Sequence, residues 1–231
     1  MMPPAATYAR RVTARARGRP ASGDEVVTTE RVLDAALDAF ADRGYEGTSV
    51  RELARGLGVS HNLIPQRIGS KDDLWHRAVD HGFGQIAAAL AAVDTGTDAG
   101  DLERLRALVV RFVEANAARP ALLRIISREA ITPGPRFDYL FDRYIDPVRV
   151  YGDDLLARLE AEGQVRTGSV GLVYFFMTHG AGGPLALPAL AERFGDAVDA
   201  DDPEAVRRHA TEAVALMFEG LTTRPDTGPG A

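Results

Sequence analysis

Apolar residues recur at helical spacing along almost the whole chain, and no stretch shows the sustained period-two alternation of a half-buried strand. Val32, Leu33, Ala36, Leu37 and Phe40 fall on one face of a first helix, which Gly44 ends as a residue suited to the position after a helix C-terminus. Ser49-Val50-Arg51-Glu52 has capping-box spacing and opens a short second helix bearing Leu53, Ala54 and Leu57. Gly58 and Val59 make a turn, and Ser60 is placed to cap a third short helix. Ser70-Lys71-Asp72-Asp73 begins a fourth, with acids in its first turn and Leu74, Ala78, Ile86, Leu90 and Val93 on its apolar side.

Beyond a loop at 94–100, Leu102, Leu105, Val109, Phe112 and Val113 predict a helix ending near Arg119-Pro120, and another covers roughly 121–131. A long helical stretch from Phe137 to Glu162 carries Pro147 as its expected kink. Val170 to His179 is apolar almost all round, which predicts a helix buried on two sides; Gly180 to Pro184 breaks it. The last helix, about Pro203 to Leu221, has a stripe of Val206, Ala210, Ala213, Val214, Met217, Phe218 and Leu221. Residues 1–27 and 223–231 lack periodicity and read as a disordered arm and a frayed tail. The fold class is therefore all-α, with a small helical domain at 28–76 and a larger one at 77–222.

Charge locates the chemistry. The chain has 231 residues and a net charge of −6, yet residues 1–23 hold Arg10, Arg11, Arg15, Arg17 and Arg19 and no acid. Residues 1–76 carry 11 basic and 10 acidic side chains against 16 and 23 in the remainder, so a nucleic-acid surface belongs at the N-terminal end. The absence of cysteine excludes disulfides and thiolate chemistry. With no secretory signal and no apolar run long enough for a span, the expectation is a cytoplasmic protein without membrane partners.

A helix, a tight turn at Gly58-Val59-Ser60 and a second short helix form the geometry that presents a helix to a DNA major groove. The residues Ala35, Ala36, Phe40, Ala41, Gly44, Tyr45, Thr48, Ser49, Val50, Arg51, Leu53 and Ala54, then Gly58-Val59-Ser60, then Ser70-Lys71 and Leu74, stand at ungapped spacing. Over about residues 29–75 this pattern resembles the TetR family of repressors. The resemblance implies an all-α protein: an N-terminal three-helix helix-turn-helix domain, then a helical ligand-binding and dimerisation domain. It further implies a homodimer, a double-stranded operator of two half-sites and an effector pocket inside the second domain. The expected function is a repressor released by a small molecule, with an activator or a ligand-independent DNA-binding regulator as the alternative and a helical enzyme or metal-binding protein behind it; no cofactor and no catalytic residue is expected. By position, Thr48, Arg51, Ser60 and Lys71 are expected on phosphates, and His61, Asn62, Gln66 and Arg67 at base edges, where Arg67 suits guanine and Asn62 or Gln66 adenine. The alternative for each is a solvated helix face. The chain departs from the family at Pro65-Gln66-Arg67-Ile68, where members often carry Tyr-x-Tyr-Phe; Pro65 predicts a recognition helix that is kinked or about one and a half turns long. Arg17-Gly18-Arg19-Pro20 resembles an AT-hook core that could enter a minor groove, with a solubilising basic tail as the alternative.

Candidate pocket residues are Phe112, Asn116, Arg124, Phe137, Tyr139, Phe141, Tyr144, Tyr174, Phe175 and His179, because a small-molecule site needs apolar walls and a few polar groups. The final stripe and the 170–179 segment together predict a subunit interface through the last two helices. Asp73, His76 and Asp80 share one helix face and could hold a metal, though a charged solvated face is the preferred reading. Gly-rich 180–183 lacks the strand and elbow of a hydrolase, and no phosphate-binding loop is present.

Overall fold

The computed structural model describes residues 27–93, 100–166 and 169–222. Arg17 and Arg19, the ends 1–26 and 223–231, and part of the 94–100 loop lie outside the described residues. Twelve α-helices follow in order among the described residues: α1 Thr29–Gly47, α2 Val50–Gly56, α3 Leu63–Arg67, α4 Lys71–Ala91, α5 Asp101–Ala117, α6 Pro120–Ile131, α7 Pro135–Leu140, α8 Asp146–Ala161, α9 Val170–Phe175, α10 Gly183–Ala186, α11 Pro188–Phe194 and α12 Pro203–Leu221. The one extended pairing among them is an isolated antiparallel bridge between Val165 and Thr222.

Local chemistry explains the boundaries. Thr28 caps α1 through the Arg31 amide, and Gly44, at φ 74°, breaks the helical path near its end. Ser70 and Asp73 close a reciprocal capping box at α4, with bonds of 2.8 and 3.1 Å. Asp202 accepts from the Glu204 amide at 2.9 Å and, with Pro203 in the first turn, opens α12.

Three expectations are revised. Ser60 does not cap α3: the helix begins at Leu63 with Asn62 as its N-cap residue, and Ser60 Oγ instead meets the Asn62 amide at 3.4 Å in the preceding turn. The break in the 137–162 stretch lies ahead of Pro147, in a π-helical turn over Phe141–Ile145; there the Asp146 amide bonds the Phe141 carbonyl, so that Pro147 sits in the first turn of α8. The 170–179 segment is not buried all round within one chain, since Leu172, Phe175 and Phe176 are exposed and helical structure continues as a π-helical run over Phe176–Ala181. The short helix α11, stopped by Gly195, falls where the sequence had shown no helix.

One hydrophobic core joins α1–α3 to α4, α6 and α7. It contains Phe40, Ile64, Trp75, Leu122, Ile125 and Leu140 and so runs without interruption past residue 76. A second core, around Leu105, Leu155, Leu156, Leu159, Val214 and Phe218, packs α5, α8 and α12 together. Arginines then tie α1 to the larger body. Arg119 reaches Asp34 at 3.3 Å, Arg124 reaches Asp42 at 3.4 Å, and Arg128 donates to the Ala41 and Asp42 carbonyls, each at 3.3 Å. The last of these satisfies carbonyls left open by the break at Gly44.

Candidate nucleic-acid interface and effector cavity

The tight turn is set by backbone geometry. Gly58 adopts φ 70°, the Val59 amide bonds Ala54 O at 3.0 Å, and the Leu63 amide bonds Ser60 O at 2.9 Å. Ala54 and Ile64 are fully buried where α2 meets α3, which leaves Ser60, His61, Asn62, Pro65, Gln66 and Arg67 on the exposed side, with Arg51 exposed on α2. Pro65 fits because it is the third residue of α3, where an amide has no intrahelical acceptor; α3 is five residues long, as that proline predicts.

Thr48 corrects the sequence reading. It is buried, with Oγ1 3.0 Å from Ala39 O and 2.7 Å from Gly44 O, so its hydroxyl closes the end of α1 and cannot reach a phosphate. Lys71 lies over the Tyr45 ring at 4.6 Å and donates to Glu46 O at 3.3 Å, which leaves further ammonium protons for a phosphate. Arg67 donates to Val27 O at 2.9 Å, tying the start of α1 to α3. Arg77 of α4 donates to the Arg67 and Ile68 carbonyls at 3.2 and 3.4 Å and thereby caps α3 from outside. Sequence reasoning missed Arg77; its position ten residues after Arg67, on a helix following a tight loop, was the available signal.

The face once considered for a metal is spent on other contacts. Asp73 is held in the capping box and His76 Nδ1 lies 2.9 Å from Asp72 O. Asp80 Oδ1 accepts from Tyr139 at 2.6 Å and from Tyr144 through a shorter bond. Burial first, then the bond to Asp80, push both phenols above their ordinary pKa, so they remain donors at physiological pH. Tyr144 also stacks on Phe83 of α4, at 4.1 Å between ring centroids and 7° between planes. Tyr139 abuts Trp75 and His76 and does not line the cavity, and Arg124 belongs to the α1–α6 contact; both leave the predicted pocket set.

The remaining pocket candidates come together. A cavity of about 540 Å³ between α6, α7, α8 and α9 is lined by Phe137, Phe141, Ile145, Tyr174, Phe175 and His179 among others. It adjoins a chamber of about 110 Å³ bounded by Phe83, Phe112, Asn116, Tyr144 and Tyr174. Ile126, Ile145, Val148 and Tyr174 border both spaces. A further apolar space of about 430 Å³ continues past Phe112 toward Tyr151 and Leu155. The walls are apolar and aromatic with few polar groups, as a small-molecule site requires. Tyr144 thus faces the chamber while bonded to Asp80, one turn along α4 from Arg77.

A short exposed helix held by a tight turn, joined through a long connecting helix to a body with an apolar cavity, is the arrangement of a helix-turn-helix DNA-binding regulator. Residues 32–78 match the family model described as bacterial regulatory proteins, tetR family. The transcriptional repressor KstR2 of Mycobacterium tuberculosis is 29% identical over 175 residues, which cover 71% of this chain and 86% of that protein. The transcriptional activator FasR of Mycolicibacterium smegmatis is 32% identical over 112 residues, covering 47% of this chain and 50% of that one. The solved structure of the ketosteroid transcriptional regulator KstR2 of Mycobacterium tuberculosis has the same fold, with a TM-score of 0.66 at 24% identity, covering 87% of this chain and 98% of that one. Residues 32–78 thus carry the DNA-binding segment of the TetR family, and the similarities support a DNA-binding transcriptional regulator. Among the described residues no helix is long and apolar enough to cross a membrane.

Proposed function

We propose that the protein is a cytoplasmic repressor that binds a two-half-site operator as a homodimer and leaves it when an apolar small molecule occupies the cavity. The observation that carries this reading is the double engagement of Tyr144, which walls the chamber and bonds Asp80 of α4, the helix whose Arg77 holds the end of α3. A ligand that displaces the Tyr144 ring shifts α4, and α4 carries the recognition helix with it. His61, Asn62, Gln66 and Arg67 read bases in this scheme, while Arg51, Ser60 and Lys71 hold phosphates. Arg17 and Arg19 enter the proposal because Val27, from which residues 1–26 extend, is held beside α3. The solved relative named for ketosteroids makes polycyclic, weakly polar molecules the first effector class to try.

Selection of bound duplexes from a random pool tests the reading. The expected result is a pseudo-palindrome with half-sites about one helical turn apart, or a multiple of it, followed by release on adding effector. Failure to enrich any sequence at moderate salt sinks it. On the selected operator, Arg67→Ala is expected to cost about 1–3 kcal/mol by fluorescence anisotropy with dimerisation intact. Unchanged affinity would remove Arg67 from base reading and leave it the Val27 tether alone.

A further inference from the structure

The inner chamber contains two polar groups that no described residue satisfies. Asn116 is 3% exposed, and its Nδ2 donates to the Phe112 carbonyl of its own helix at 2.8 Å. That carbonyl can only accept, so the amide orientation is fixed and Oδ1 is left as an acceptor without a partner among the described residues. The Tyr174 hydroxyl likewise has no partner among them; burial alone pushes its pKa up. Both residues border the 110 Å³ chamber, and Tyr174 also borders the 540 Å³ cavity. None of the chamber's lining residues is charged. The hydroxyl of Tyr144, the other polar group there, is already committed to Asp80 and Arg143.

Resting on the effector reading above, the geometry points to a ligand that is uncharged, apolar along its body and headed by one hydroxyl, which accepts from Tyr174 and donates to Asn116 Oδ1. The head enters the chamber and the body fills the larger cavity. A hydroxyl matches a donor and an acceptor at once through a single uncharged atom. An ether or ketone leaves Asn116 unsatisfied, and a carboxylate would be stripped of water with no cation among the chamber's walls. The nearest arginine on the cavity wall, Arg149, is already bound at 2.7 Å to Asp146 and at 2.7 Å to Asp153.

Titration calorimetry of the full chain with three probes of one length separates these cases: decanol, its isomer nonyl methyl ether, and decanoate. Decanol is expected to bind about tenfold more tightly than the ether, with decanoate weaker still. Asn116→Leu should abolish the preference for alcohol over ether while keeping ether affinity. Tyr174→Phe should weaken alcohol and ether alike, giving a second variant should the first fail to fold. Equal binding of alcohol and ether, or tightest binding of decanoate, overturns the hydroxyl assignment and leaves the cavity as an effector site. No heat with any probe, together with no effect of decanol on operator affinity, overturns both.

Discussion

Introducing Phe176→Asp together with Leu216→Asp is expected to give a folded monomer whose operator affinity is about 10²–10⁴-fold below that of the unmodified protein. The two side chains are 53% and 70% exposed in the single chain, so the carboxylates cost little within one subunit. They flank a surface groove of about 590 Å³ between the Phe176–Ala181 run and α12, with Val198, His209 and Met217 along it. On α12 the residues Val206, Ala210, Val214 and Phe218 face inward, the first two onto Val113, Ala181 and Leu185, while Leu216 is exposed. Leu216, the one large exposed apolar side chain on α12, lies with Phe176 along this groove, which fits the subunit interface of the proposed homodimer. Across such an interface each carboxylate would be desolvated in place of an apolar contact, a penalty that Arg208 and His209 along the groove would offset only in part. Once the subunits separate, the second half-site is no longer bound from high effective concentration, and the affinity of the pair falls to that of one head. Light scattering and anisotropy on the same sample decide it. A dimer that persists with native far-UV circular dichroism places the interface elsewhere.

The DNA-reading end was legible because it depends on local rules. Gly44 and Gly58 at left-handed positions, the Ser70–Asp73 box and the interior pattern around Phe40 each follow from sequence spacing alone. Thr48 was misread because a hydroxyl near a helix start serves phosphate or backbone equally well, and only the approach of the Ala39 and Gly44 carbonyls decides between them. The sensor was legible as a set of aromatics but not as a geometry. Tyr139 and Tyr144 are five residues apart, and the π-helical turn between them directs both hydroxyls to Asp80 while giving the Tyr144 ring alone to the chamber. No periodicity announces an extra residue in one turn. Arg124 shows the same limit: an arginine on an amphipathic helix has a charge to satisfy, and its partner, Asp42, is 82 residues away.

Trp75→Ala is expected to lower stability by about 3–5 kcal/mol, and the unfolding midpoint by roughly 10 °C, the largest loss any single truncation should cause here. Trp75 is the only tryptophan, is fully buried, and heads the large side chains of the core that runs from α1 through α4 to α6 and α7. Its ring meets Tyr139 edge-on at 6.1 Å and His76 at 5.0 Å, so truncation opens a void at the junction where α4 passes from the DNA-reading end to the sensor. Trp75→Phe retains most of the buried area and should cost well under half as much. Thermal and urea unfolding followed by circular dichroism measure both variants, since fluorescence loses its reporter. Because the same ring supports Tyr139 against Asp80, the alanine variant should also release operator less completely at saturating effector. A loss below about 1 kcal/mol would mean the two ends do not share a core at Trp75, and α4 could then not carry a displacement from the chamber to the recognition helix.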